Sequence, residues 1–476
     1  MRMSKLFFLV LFWSCATLVG QNKQLLYDFT EIPQSLMINP GANVDFKWYS
    51  GIPMLSGISF QGGSSGISVN DIFADDGLNI NDKIRARAIN GMSIRDELSG
   101  TYQIELLNGG YRGKNVNEFY SFGIYHEGDA IGYWFRDYAI LAIDGNADHL
   151  NEQFDLGHLK TRGEMVNVFH FGVNKRIDNK LTLGIRAKLY SSILDFNSTR
   201  NEGYFVTTEG QNNILANTIS ADMQWRTSGV NEIKAANKNG TLTQTIIKRG
   251  FFGGSLGLGF DLGMTYDLNE HTAVTVSLLD VGFIYQTNDV KNYTLNGSAT
   301  VEGVEIILPD AFSDPNGDFW QDLVDEIEAT LPFENSTKSY IAFRPTKLNA
   351  SIRYGFGEQL ENREDCNCGP SAVANYRRAR YTNSVGGQLY MINRPRGPQS
   401  ALTAFYQRRF GNLMAVKTTY TVDKFSAANL GLGVSLQAGP VNIYLMADNL
   451  LAYQNIAATH YASFQLGLNI ISWGKK

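Results

Sequence analysis

The chain has 476 residues, 43% of them apolar and 18% charged, with a formal net charge of −5. That length admits one large domain or two ordinary ones, and the mild acidity leaves no basic footprint, so nucleic acid is not expected as a partner. Three cysteines are too few for a disulfide-framed scaffold.

Arg2 and Lys5 precede the apolar run Leu6 to Trp13, and small residues follow up to Gly20. This is the layout of a secretory signal over 1–20, with the mature chain beginning at Gln21. Cys15 is a poor lipoprotein acceptor, because the stretch Phe12-Trp13-Ser14 before it is bulkier than such a site usually tolerates. No later run of 18 apolar residues exists, so no transmembrane helix is expected. An exported chain of this kind is soluble or a β-barrel.

Tyr27 to Pro40 carries two prolines and ends in Asn39-Pro40-Gly41, which reads as turn and extended chain. Short alternations follow at Val44, Phe46, Trp48 and at Met54, Ser56, Ile58, Phe60. Gly62 to Gly66 matches G-x-S-x-G, but the strand, helix, acid and histidine that a nucleophile elbow requires are missing around it, so it reads as a flexible turn. Asp82 to Leu98 is a helical candidate.

From Thr101 strands dominate. Phe119 to His126 leads through Gly128-Asp129, read as a turn, to Ile131, Tyr133 and Phe135. Val166 to Asn174 and Leu181 to Leu189 form a hairpin about Asp178-Asn179. Asp195 to Lys248 reads as a large loop able to hold its own hairpin. The clearest strand is Ser255 to Asp267: Leu256, Leu258, Phe260, Leu262, Met264 and Tyr266 alternate without a break with glycines, Ser255, Asp261, Thr265 and Asp267. At ~3.3 Å per residue it reaches ~40 Å, enough to cross a ~30 Å hydrocarbon core with tilt. Ala273 to Tyr285 answers it across Asn269-Glu270. Asp318 to Thr330, inside the excursion 286–339, reads as a surface helix. The remaining strands begin near Leu348, Val385, Ala401, Leu413, Leu430, Val441 and Ala462.

Tight turns alternate with long excursions down the chain, the pattern of an outer-membrane barrel with short periplasmic turns and longer external loops. The expected fold is all-β: a closed antiparallel transmembrane barrel of about 14 strands, or 16 if the alternations near Val44 and Met54 join the wall. The sparser 21–100 suits an N-terminal plug or hatch, with the barrel over 101–476. Arg186, Lys188, Asp261 and Arg353 stand opposite apolar residues on their strands and are the candidate lumen-facing groups. Cys366 and Cys368 fall in a linker that strand parity makes periplasmic, where they can form a local disulfide. The six histidines include no H-E-x-x-H, and Gly257-Leu258-Gly259 is strand alternation, so neither catalysis, metal nor cofactor is expected.

At Ile38-Asn39-Pro40-Gly41-Ala42, Gly51 to Ile58, Lys188 to Ser192 and Ala447 to Leu450, the chain resembles an uncharacterised outer-membrane barrel family of Bacteroidota. It is distantly similar to fatty-acid-transporter-like barrels, a group that includes an outer-membrane component of the type IX secretion system. The resemblance implies an outer-membrane location in a Gram-negative bacterium and carries no functional residues with it. Two readings follow: passage of a small solute, apolar ones included, or a scaffold or accessory role beside other outer-membrane or secretion-machinery proteins. Membrane lipid is the expected surrounding in both.

Overall fold

The computed structural model describes residues 23–210, 215–302, 333–360, 380–426 and 429–473. Within them one antiparallel sheet closes on itself as a barrel of 14 wall strands. In chain order these are β1 (Trp48–Gly51, resumed at Ile58–Ser64), β2 (Glu97–Arg112), β3 (Glu118–Tyr133), β4 (Thr161–Arg176), β5 (Leu181–Glu209), β6 (Ser255–Asp267) and β7 (Thr272–Gln286). The second half comprises β8 (Tyr340–Phe343, resumed at Lys347–Leu360), β9 (Arg380–Arg394), β10 (Gly397–Phe410), β11 (Met414–Val422), β12 (Asn429–Ala438), β13 (Val441–Asp448) and β14 (Tyr461–Ser472). Each wall strand pairs with the next, and β14 pairs back onto both halves of β1.

Side chains alternate across a strand, so register decides what faces outward. Between β5 and β6, Ile185 lies opposite Leu262, Ala187 opposite Phe260 and Leu189 opposite Leu258. The outward face is an apolar band, with Leu258 60% and Ile185 52% exposed, and it continues through Ile352, Leu402, Ile443 and Leu445. The inward face carries Arg186, Lys188 and Asp261, all buried. A surface this apolar around a whole barrel matches hydrocarbon, not water. Replacing Ile185 with arginine should therefore cost roughly 2 to 4 kcal/mol if that position sits at mid-bilayer. Urea titration of the barrel folded into lipid vesicles reads this directly; an unchanged midpoint would mean that Ile185 does not face lipid.

One rim holds the short connections 113–117, 177–180, 268–271, 411–413 and 439–440, with Gly411 and Gly439 at φ near +57° and +56°. These left-handed positions are where glycine has no Cβ to clash. The opposite rim holds the long excursions. There the outer part of β5 pairs with Leu215–Ser228, which pairs in turn with Val290–Glu302, so 195–248 does contain a hairpin that prolongs the wall. It is followed by helices Val230–Lys238 and Leu242–Lys248.

Several expectations need correction. The region 43–69 is not plug alone: both halves of β1 belong to the wall between β14 and β2. Its alternation breaks at 52–57 because the strand bulges outward there, leaving Met54 and Leu55 exposed. Gly128-Asp129 is no turn, since β3 runs straight through it. Gly128 gives room to the Tyr102 ring, where a Cβ would collide, and Asp129 points inward to Arg394. One strand fewer at β3 and one more at β1 leave the count at 14. The helix near Asp82 begins at Ile80 and ends in a π-turn at Ile89, well short of Leu98, because β2 has already begun at Glu97. β9 and β10 are joined by a tight turn on the rim of the long excursions, Arg394 pairing with Gly397. The helix expected over 318–330, and Cys366 and Cys368, lie outside the described residues.

Candidate functional site

A barrel wall satisfies its own backbone, but chain folded inside it must find partners elsewhere. Residues 24–46 are such a chain. Leu25, Leu26, Tyr27, Phe29 and Ile32 are almost fully buried, packed with Leu279, Ala415, Tyr444 and Met446 of the wall. Pro33 and Pro40 prevent a long helix. What forms instead is a series of tight turns (Phe29 N–H to Leu26 O, Ile32 to Phe29, Ser35 to Ile32) and the single helical turn Ser35–Ile38.

Many other carbonyls of the segment are taken by side chains of the inward wall face. Gln388 donates to Tyr27 O (3.2 Å) and Ser277 to Ile38 O (2.7 Å). Asn174 donates to both Pro40 O and Ala42 O (2.8 Å each), and Thr265 to Gly41 O (2.8 Å). Arg186 donates to Leu36 O (2.9 Å) and Met37 O (2.6 Å). Polar residues recur on the inward face because these irregular carbonyls require donors.

Asn39-Pro40-Gly41 lies flat against the wall where β5 and β6 carry glycine. A Cβ on Gly263 would stand 2.5 Å from the Gly41 nitrogen, and one on Gly184 would strike the Pro40 carbonyl. Gly263 of β6 and Gly184 of β5 are thus the seat for the backbone of the segment, whereas Gly257 and Gly259 of β6 face Ile284 and Tyr190 of the wall.

Two ionic clusters flank this seat. In the first, Asp261 accepts from Arg186 Nε (2.7 Å) and contacts Lys188 Nζ (2.9 Å), and Lys188 also reaches Asp280 (2.6 Å), which binds Lys347 (2.9 Å). All but Lys347 are buried to 4% exposure or less. In the second, Glu31 of the segment accepts from Arg409, Gln407 (2.8 Å) and Arg380 (3.3 Å). Burial opposes ionisation of Glu31, but Arg409 and Arg380 outweigh it and hold the carboxyl well below the usual carboxylate range.

Of the candidate residues, Arg186, Lys188 and Asp261 come together in the first cluster. Arg353 stands apart, donating to Asp28 O (3.4 Å) nearer the tight-turn rim. Asp280, Glu31, Gln407 and Arg409 were missed by the sequence reading. Arg409 shares the parity of Thr403, Phe405 and Gln407, a signal that the strand pattern held; nothing around Glu31 distinguishes it.

The space left inside is small. One cavity of about 60 Å³ is bounded by Lys23, Tyr125, Lys188, Asp280, Arg344 and Lys347. Another of about 80 Å³, toward the tight turns, is bounded by Asp45, His271, Arg353, Arg380, Ser384 and Arg409. Each is smaller than the ~150 Å³ of a benzene-binding cavity and large enough for water.

Solved barrels align with most of the chain at low identity and low structural similarity. The toluene transporter TbuX of Ralstonia pickettii is 11% identical, with 96% of each chain covered and a TM-score of 0.39. A FadL homologue of Pseudomonas aeruginosa is 8% identical over 96% of this chain and 99% of that one, with a TM-score of 0.39. A deletion mutant of the monoaromatic hydrocarbon channel TodX is 9% identical over 93% and 94%, with a TM-score of 0.40. No curated protein matches the sequence. Residues 40–448, which include the Asn39-Pro40-Gly41 seat from its proline onward and thirteen-strand continuity from β1 to the end of β13, match the model of DUF5723, and the chain belongs to that family of unknown function.

Proposed function

We propose that the protein is an integral outer-membrane barrel of a Gram-negative bacterium that passes a small solute, and that residues 24–46 are its gate. The observation that carries this reading is how the segment is held. Many of its hydrogen bonds to the wall run from side chains to carbonyls and the rest join side chains, so water can replace them one by one, while the ladder between wall strands closes without the segment. The apolar outer band supports lipid as the surrounding, and the charged inward face supports a wet pathway once the segment withdraws.

A scaffold role in an assembly or secretion machine is the second reading. It is favoured by the sheet of Leu215–Ser228, Val290–Glu302 and Phe333–Ser336, which extends β5 beyond the wall and leaves strand surface for a partner. Proteoliposomes holding the mature chain separate the two. Passage predicts swelling in small isotonic solutes above that of protein-free vesicles. Swelling equal to the protein-free control, together with a stoichiometric partner in pull-downs from native outer membrane, would replace passage with the scaffold reading.

A further inference from the structure

The segment brings three carboxylates, Asp28, Glu31 and Asp45, to the half of the lumen nearest the tight turns. The wall opposite carries Arg353, Arg380, Arg409 and Lys417. Glu31 meets Arg409, Arg380 and Gln407, and Asp45 lies 3.6 Å from Arg380. Lys417 donates to the Tyr27 and Gln24 carbonyls and Arg353 to that of Asp28, so these two cations are satisfied by backbone alone in the segment. With the segment withdrawn, the wall here would show four cations and lose every carboxylate that now faces them from the segment. The cavity of about 80 Å³ already adjoins three of them. Beside it the buried Arg380 Nη1 and Ser384 Oγ have no hydrogen-bond partner among the described residues. Asp45, Asp267 and Glu270 also line it, and Asp45 leaves with the segment.

The arrangement about Glu31 is that of a bound carboxylate: two guanidinium groups and an amide converge on it in a buried site. The geometry points to a carboxylate-binding site made by Arg380, Gln407 and Arg409, which Glu31 fills in the closed state as an internal stand-in, and to a carboxylate-bearing small molecule as the solute that takes the same donors. The last clause rests on the passage reading above.

The test uses the full mature chain. Glu31→Ala removes a group about the size of acetate, and acetate should refill the gap. In Glu31→Ala, thermal unfolding should shift upward with sodium acetate over sodium chloride at equal ionic strength, and acetate should bind at least about tenfold more tightly than to the wild type. Acetamide, neutral and of the same shape, should do neither, and adding Arg409→Gln should abolish the acetate effect. If Glu31→Ala does not refold in chloride, its refolding yield in acetate against acetamide reads the same site. Equal responses to acetate and chloride, or to acetate and acetamide, would overturn the site. Flux tests the solute: propionate should enter wild-type proteoliposomes about tenfold faster than propionamide. Equal rates would overturn the carboxylate class while leaving passage intact. Acetate binding with no flux of either compound would sink the passage reading and leave the binding site standing.

Discussion

Replacing Asp261 with leucine should lower the stability of the folded barrel by roughly 3 to 5 kcal/mol, because it strands buried positive charge. Asp261 is wholly buried and takes three donors: Arg186, Lys188 and the Asp280 backbone N–H (2.7 Å). Lys188 keeps Asp280 in the variant, but Arg186 is left with the uncharged carbonyls of Leu36 and Met37 and the Met37 sulfur. Asparagine at 261 retains a similar shape without the charge and should fall between leucine and wild type. Adding Arg186→Met to Asp261→Leu should recover part of the loss, since a matched apolar pair costs less than one orphaned ion. The measurement is the urea midpoint of barrels refolded in lipid, read by gel mobility with and without heating. A leucine variant as stable as wild type would show that the ion cluster contributes nothing net.

The second large effect is on the gate. Valine at 263 has no room against Asn39 and Gly41, so the segment must lift from its seat. Overpacking costs roughly 1 to 3 kcal/mol, which raises the open population about 5- to 150-fold. A cysteine at Ser35, now 4% exposed, reports that population by its rate of maleimide labelling in proteoliposomes. Solute flux should rise in parallel. Gly387→Val is the control, because a Cβ there meets nothing nearer than 3.9 Å. Equal labelling of the 263 and 387 variants would mean that the segment is not seated on glycine.

Much of the wall was legible because period-two alternation is a local signal. Leu181 to Leu189 and Ser255 to Asp267 declare both faces within a dozen residues, and Asp178-Asn179, Gly411-Asn412 and Gly439-Pro440 mark their own turns. The errors arose where meaning lay across the barrel. Gly128-Asp129 has the composition of a turn, yet Gly128 yields to Tyr102 and Asp129 answers Arg394, both distant in sequence. Trp48 to Gly51 is too short to stand out, and its partner in register is the last strand. The cluster at Asp261 was half visible, as two cations two residues apart and a carboxylate on a glycine strand. Glu31 was invisible, because its partners come from β9 and β10 and no periodicity surrounds it.

The seam between β1 and β14 has a consequence for how the wall comes together and where it fails. Trp48 faces Ser472 there, so closing the ring joins nearly the first and last residues of the sheet, at an entropy of order 5 kcal/mol for a loop of that length. Every other wall contact can form between neighbours along the chain, which makes the seam the slow, final step. It is also the least continuous contact, since one of its two strands is interrupted between Gly51 and Ile58 and relies there on isolated bonds from Ile52 and to Leu55. A cylinder shares load around its circumference only while it is whole. This one is built like a hoop with a single riveted joint, and amide exchange under mild denaturant would begin at that joint.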